Sequence, residues 1–327
     1  MPQRGYWLPS CLDIEPVDDF AGSLWKLTTD DLHAATSQYY SVNSAQEDGR
    51  LKAHRIEFGV TLRTILNHLS EHPARVLDVG GGTGPYSFAL AAKGHDVTLI
   101  DMSPGLISVA RARLESTADH CHPTRIMEGN ALALDALLPN EAGTLDAVLL
   151  LGPLYHIMSA ALREDALRQA WAMVKASGVL ICAWVSRWAH YRDVAMRDPG
   201  RLALKPDFYK RHAENGDYLK REGDTFLHAM NHEHPANMPA ILRRVTGEHK
   251  IKMVGVEGVL AGGLDKLVNE LEEEAFEVGH KDSTMFTFTD FDRVQSWVQK
   301  CLEVGYDDMG WMMSDHIIGI ARKSAAL

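Results

Sequence analysis

The stretch Arg75–Asp101, RVLDVGGGTGPYSFALAAKGHDVTLID, constrains the fold of this chain more than any other. A short β-branched run, Arg75–Val79, leads directly into Gly80, Gly81 and Gly82, followed by Thr83 and Gly84. Helix formers run from Tyr86 to Lys93 and stop at Gly94, a residue suited to the left-handed turn that ends a helix. Asp96 to Ile100 is apolar-rich again and closes on Asp101. Strand, glycine turn, helix and strand in that order make a βαβ half-unit and imply a parallel sheet. Glycine has no Cβ, so the turn can adopt positive φ and approach a ligand, which the first amides of the following helix then face. Asp101 ends the second strand, where a carboxylate can accept hydrogen bonds from two ribose hydroxyls.

The ligand expected at this turn is not a dinucleotide. A G-x-G-x-x-G fingerprint started at Gly80 and Gly82 reaches Pro85, and one started at Gly82 and Gly84 reaches Ser87. Asp78 stands just before the turn, where it would repel a pyrophosphate and attract a cation. A nicotinamide oxidoreductase is therefore disfavoured. The formal net charge of -11 argues against nucleic acid or an anionic membrane as partner. No run of about 18 apolar residues indicates a membrane span, and the opening MPQRGYWLPSCLDIEP has no secretory apolar core. Four cysteines, at 11, 121, 182 and 301, show no C-x-x-C spacing. A reduced, cytoplasmic protein without a metal site is expected, and a homodimer is compatible with this composition.

With G-x-G-x-G behind an acidic strand end, the segment DVGGGTGPYSFALAAKGHDVTLIDMSPGLISVARARL resembles the class I S-adenosylmethionine (SAM)-dependent methyltransferases. The run LLLGPLYH, ending at His156, resembles a small-molecule subgroup of that family. The resemblance implies an α/β fold: a Rossmann-like, doubly wound, seven-stranded sheet, mostly parallel with an antiparallel final strand. An N-terminal helical lid over residues 1–70 precedes a SAM-binding core at 71–189. An inserted cap at 190–234 separates the core from residues 235–327, which complete the sheet and add C-terminal helices, including 264–278 and 291–304.

The expected site follows from these positions. Gly80, Gly82 and Gly84 shape the turn, Asp78 sits beside it, and Asp101 takes the ribose. The resemblance puts Met102 and Asn130 on adenine, with Ala131 and Leu151 completing the cofactor set. Relatives usually carry aspartate where Asn130 stands, but an asparagine oxygen still accepts the adenine amino hydrogen bond. The guanidinium fork of Arg55 matches the methionyl carboxylate of SAM. Tyr155 and His156 lie just beyond the carboxyl end of a central strand, where open α/β sheets bind ligands. Either suits a general base. Tyr40 in the lid and Arg187 after the fifth strand join them as catalytic candidates, with Arg187 aimed at an acidic substrate group. His228, His232 and His234 lack the helical H-E-x-x-H pattern, so no metal is expected.

The favoured expectation is methyl transfer from SAM, as co-substrate, to an O, N or C nucleophile on a small molecule. Three alternatives keep SAM: a cyclase resembling azetidine-2-carboxylate synthase that releases methylthioadenosine, an RNA or protein methyltransferase, and a non-catalytic SAM-binding module.

Overall fold

The computed structural model describes residues 27–69, 73–222, 225–256, 299 and 310–325. Apart from residue 299, the expected helices at 264–278 and 291–304 lie outside the described residues, as does the N-terminal stretch up to residue 26. Among the described residues three helices precede the first strand where two were expected: α1 (Thr29–Val42), α2 (Ser44–Ala53) and α3 (Arg55–His68). A capping box starts α1, in which the Asp31 amide donates to Thr28 Oγ1 and the Thr28 amide to Asp31 Oδ2, at 3.2 and 2.9 Å.

Seven strands follow: β1 (Arg75–Val79), β2 (Asp96–Asp101), β3 (Arg125–Glu128), β4 (Leu145–Leu150), β5 (Val174–Val185), β8 (Ile251–Gly255) and β9 (His316–Arg322). They form one sheet in the order β3-β2-β1-β4-β5-β9-β8. β1 to β5 pair in parallel, whereas β9 runs antiparallel between β5 and β8. This is the Rossmann-like architecture the glycine segment implied. The strand order reverses at β1 and β4, which opens the ligand crevice at their carboxyl ends.

Side-chain alternation builds two cores, one on each face. Val76 of β1 and Ala147 and Leu149 of β4 pack with Ile56, Val60 and Ile65 of α3. Their neighbours Leu77, Val79, Val148 and Leu150 pack on the other face. There they meet Ala166, Leu167 and Ala170 of a helix over Ala160–Met173 and Leu242 of a helix over Met238–Thr246. The two-sided burial explains why these strands read as continuous apolar runs.

Between residues 190 and 234 the chain was expected to form short helices. It does so at Arg187–Arg197, Arg201–Leu204 and Pro206–Asn215, but then makes a two-stranded antiparallel hairpin, β6 (Asp217–Glu222) and β7 (Thr225–Asn231). No described helix is long and apolar enough to cross a membrane.

Candidate functional site

A cavity opens at the carboxyl ends of β1, β2 and β4, where the glycine turn meets α1. Gly80 and Gly82 border it with φ of +70 and +60°. A Cβ on Gly80 would lie 2.5 Å from Cγ of Pro153, so a side chain there would collide with the turn after β4. The Gly80 and Gly81 amides both donate to the Ile100 carbonyl, at 2.7 and 3.2 Å, which ties the turn to β2. Gly84 does not border the cavity. At φ +83° it caps the helix Pro85–Ala91 and gives its amide to the Gly81 carbonyl at 2.9 Å, so it shapes the turn from outside.

Asp101 is buried at the end of β2. Its Oδ2 accepts from the Gly82 amide at 2.9 Å and its Oδ1 from the Ser103 amide at 2.8 Å. Burial raises its pKa, and the amide hydrogen bonds from Ser103 and Gly82 oppose the rise. Asp78 is buried beneath the turn with Oδ2 accepting from Ser87 Oγ at 2.6 Å, while Oδ1 has no partner among the described residues. Burial lifts this carboxyl to about 6, against the Ser87 hydrogen bond and with help from Asp101. Met102, Asn130, Ala131 and Leu151 all border the same cavity. Asn130 turns its Oδ1 back to the Leu132 amide at 2.9 Å, which fixes the loop after β3.

α1 forms the opposite wall. Ser37 Oγ donates to the Met102 carbonyl at 3.0 Å, and Ser41 Oγ lies 2.9 Å from Ser103 Oγ. The approach is close: a Cβ on Gly105 would stand 2.5 Å from the Ser41 Cα. One turn along α1, the Tyr40 hydroxyl meets His156 Nε2 at 2.9 Å. Tyr155 adjoins His156, with ring centroids 4.7 Å apart. Arg163, buried beneath this turn, gives Nη1 to the carbonyls of Ile157 and Met158 at 2.8 Å each and so holds Tyr155 and His156 in place. Tyr40, Tyr155 and His156, three of the four catalytic candidates, thus stand together on the cavity.

Two sequence expectations need correction. Arg187 does not border the cavity. It is the first helical residue after its Ser186 cap, and its side chain runs to the carboxyl end of the helix Pro206–Asn215. There Nη1 donates to the Ala213 carbonyl at 2.9 Å and Nε to that of His232 at 3.3 Å. A guanidinium on exposed helix carbonyls is favourable and binds the cap to β5. Arg55 also lies off the cavity. His54, at φ -103° and ψ 62°, breaks the helix between α2 and α3 and changes the phase, so Arg50 faces inward instead. Arg50 donates Nε to Glu47 at 2.8 Å and Nη1 to both oxygens of Glu57 at 3.0 and 3.2 Å. Burial pulls Glu57 upward, but Arg50, with His316 and His54, holds it down to about 2.

Burial also sets the charge of the two general-base candidates. Burial pushes His156 down to about 4, against the nearby Ala229 carbonyl, and pushes the Tyr155 hydroxyl far up. Near neutral pH His156 is uncharged and weakly basic, and Tyr155 is a hydrogen-bond donor. Behind them, Lys220 of β6 hydrogen-bonds the Tyr39 hydroxyl, and the His228 ring lies 4.3 Å from that of Tyr39. His232 pairs with His212 at 2.9 Å. Among the described residues no three His, Cys, Asp or Glu side chains converge as metal ligands.

The donor set suits a cationic nucleoside. Glu47, Glu57, Asp78 and Asp101 border the cavity against one described Lys or Arg, Arg50. Sequence reasoning missed Arg50, Glu47, Glu57, Thr36 and Arg163. The helical spacing of Thr36, Ser37 and Tyr40 was the one signal that α1 turns a polar face inward.

Residues 76–178 match the model of a methyltransferase domain family. The chain is 28% identical over 170 residues to a ubiquinone/menaquinone biosynthesis C-methyltransferase of Zymomonas mobilis, covering 51% of this chain and 64% of that protein. It is 35% identical over 129 residues to a ubiquinone biosynthesis O-methyltransferase of Xylella fastidiosa, covering 39% and 48%. The chain therefore spans less than two thirds of the length of these curated relatives. A solved complex of the Haloferax volcanii Trm112 methyltransferase activator with a methyltransferase contains a chain of similar fold. Its TM-score is 0.50 at 14% identity, covering 89% of this chain and 99% of that one.

Proposed function

We propose that the chain, whose residues 76–178 match a methyltransferase domain family, transfers a methyl group from SAM to a small-molecule acceptor. The observation that carries this reading is the Asp101 carboxylate, fixed by the Gly82 and Ser103 amides on the rim of an acid-rich cavity. Both curated relatives are named for ubiquinone biosynthesis, one methylating at carbon and the other at oxygen, which supports an acceptor of small-molecule size.

In this reading Asp101 holds the ribose, and Met102, Asn130 and Ala131 enclose the adenine. Gly80 and Gly82 let the main chain pass close beneath the ligand, and Leu151 packs beside it. Arg50, in place of Arg55, faces the methionyl carboxylate, and Asp78 offers its spare oxygen to the ammonium. When bound, SAM supplies a methyl carbon made electrophilic by its sulfonium. The protein's share of catalysis is then alignment and exclusion of water, worth several kcal/mol of barrier in order-of-magnitude terms. Tyr40, Tyr155 and His156 orient the acceptor by hydrogen bonds. Since none of the three is a strong base, the acceptor suited to them ionises readily in water or attacks through a lone pair or electron-rich carbon. α1 and α2 form the roof, and the β6–β7 hairpin backs Tyr39 and Tyr40 of α1 through Lys220 and His228.

Incubation with methyl-labelled SAM and a panel of phenols, catechols and hydroquinones tests this reading. Label in an extracted small product is expected. Methylthioadenosine released with no acceptor present contradicts methyl transfer and favours the cyclase. Label retained only on added RNA or protein contradicts a small acceptor.

A further inference from the structure

α1 turns His33, Thr36, Ser37 and Tyr40 toward the cavity, the i, i+3, i+4, i+7 spacing of one helix face. Its position along the cavity is fixed by the Ser37–Met102 and Ser41–Ser103 hydrogen bonds, at 3.0 and 2.9 Å. Met102 and Ser103 follow Asp101 immediately, so this part of α1 lies over the end of the cavity next to the ribose carboxylate. Tyr40, one turn further on, reaches His156 at the other end.

Thr36 is the most enclosed member of the face, at 4% exposure, and its Oγ1 has no hydrogen-bond partner among the described residues. A threonine inside a helix usually satisfies its hydroxyl on the carbonyl one turn earlier. A buried hydroxyl without a partner is uncommon and costly. Thr36 also borders the cavity, so a ligand can supply what the protein does not.

We propose that Thr36 is a nucleoside-binding residue whose hydroxyl hydrogen-bonds the adenosine moiety of SAM. The inference rests on the reading that the cavity holds SAM. It makes the adenosine pocket a joint product of the β1–β2 unit and a helix that precedes it in the chain. Thr36 thus adds to the nucleoside half, while Arg50 serves the methionyl half.

Calorimetric titration of two probes, S-adenosylhomocysteine and 5′-methylthioadenosine, separates the halves, because only the first carries the amino-acid moiety. Thr36→Val removes the hydroxyl at constant shape and should weaken both probes by the same factor, about five- to tenfold. Thr36→Ser should bind both within about twofold of the unsubstituted protein. If Thr36→Val does not fold, Thr36→Ala replaces it and should show the same common loss relative to Thr36→Ser. Unchanged affinity for both probes, or loss for S-adenosylhomocysteine alone, overturns the assignment of Thr36 while leaving the SAM reading intact. Failure of the unsubstituted protein to bind either probe overturns both.

Discussion

Asp101→Ala should weaken S-adenosylhomocysteine binding at least tenfold in calorimetry, about 1.4 kcal/mol or more. The carboxylate has two tasks in this structure. Facing the cavity, it is the proposed acceptor for ribose hydroxyls. Facing the protein, it accepts from the Gly82 amide at 2.9 Å and the Ser103 amide at 2.8 Å, bonding the glycine turn to the loop beneath α1. Removing it strips both amides of their partner and frees two loops that border the cavity. A buried donor left unpaired costs about 1–3 kcal/mol, so the thermal midpoint should also fall, by several degrees. Asp101→Asn separates the tasks. Its remaining oxygen can still accept one amide bond, but its NH2 faces the other donor, so stability should recover more than affinity. An unaltered affinity in folded Asp101→Ala contradicts the ribose assignment.

Stability should fall steeply between about pH 6.5 and pH 4. Five histidines, four of them buried and His156 half-buried on the cavity, have depressed pKa values, chiefly because burial disfavours the charged ring: His156 and His190 at about 4, His212 at about 3, and His228 and His232 well below the ordinary value. The direction follows from proton counting. Between the folded and unfolded values the unfolded chain binds protons that the native chain refuses, so stability rises with pH in this window and is lost as pH falls through it. Each such histidine withdraws a few kcal/mol at order of magnitude, a large share of the stability of a typical domain. Glu57, held at about 2, has the same sign below pH 4.5, whereas Asp78, raised to about 6, opposes it. Denaturant midpoints measured from pH 7.5 to 4.5 should be level at first and then drop. His190→Phe, in a pocket with Phe208, Tyr209 and Tyr218, should remove one proton's share of the slope. A flat profile to pH 4.5 contradicts the buried neutral histidines.

The parts legible in the sequence are those where neighbours in the chain are also neighbours in the fold. Arg75–Asp101 carries its own strands, turn and helix, and the carboxyl ends of β1, β2 and β4 locate Gly80, Asp101 and Tyr155 without further information. Arg55 was misjudged because a single residue, His54, breaks the helical phase, and no glycine or proline at that point announces it. Arg187 was misjudged because its position after β5 was read correctly, but the direction of its side chain depends on the helix Pro206–Asn215, whose docking is tertiary. β6 of the hairpin was missed because Tyr218, Leu219 and Lys220 are all buried and show no alternation.

A crystal structure of the protein with S-adenosylhomocysteine tests the central claim most directly. The ribose hydroxyls should lie on Asp101, the adenine between Met102 and Asn130, and the thioether should face Tyr155 and His156 across a space large enough for a small acceptor. A ligand bound elsewhere, or an adenosine placed away from Asp101, contradicts the account.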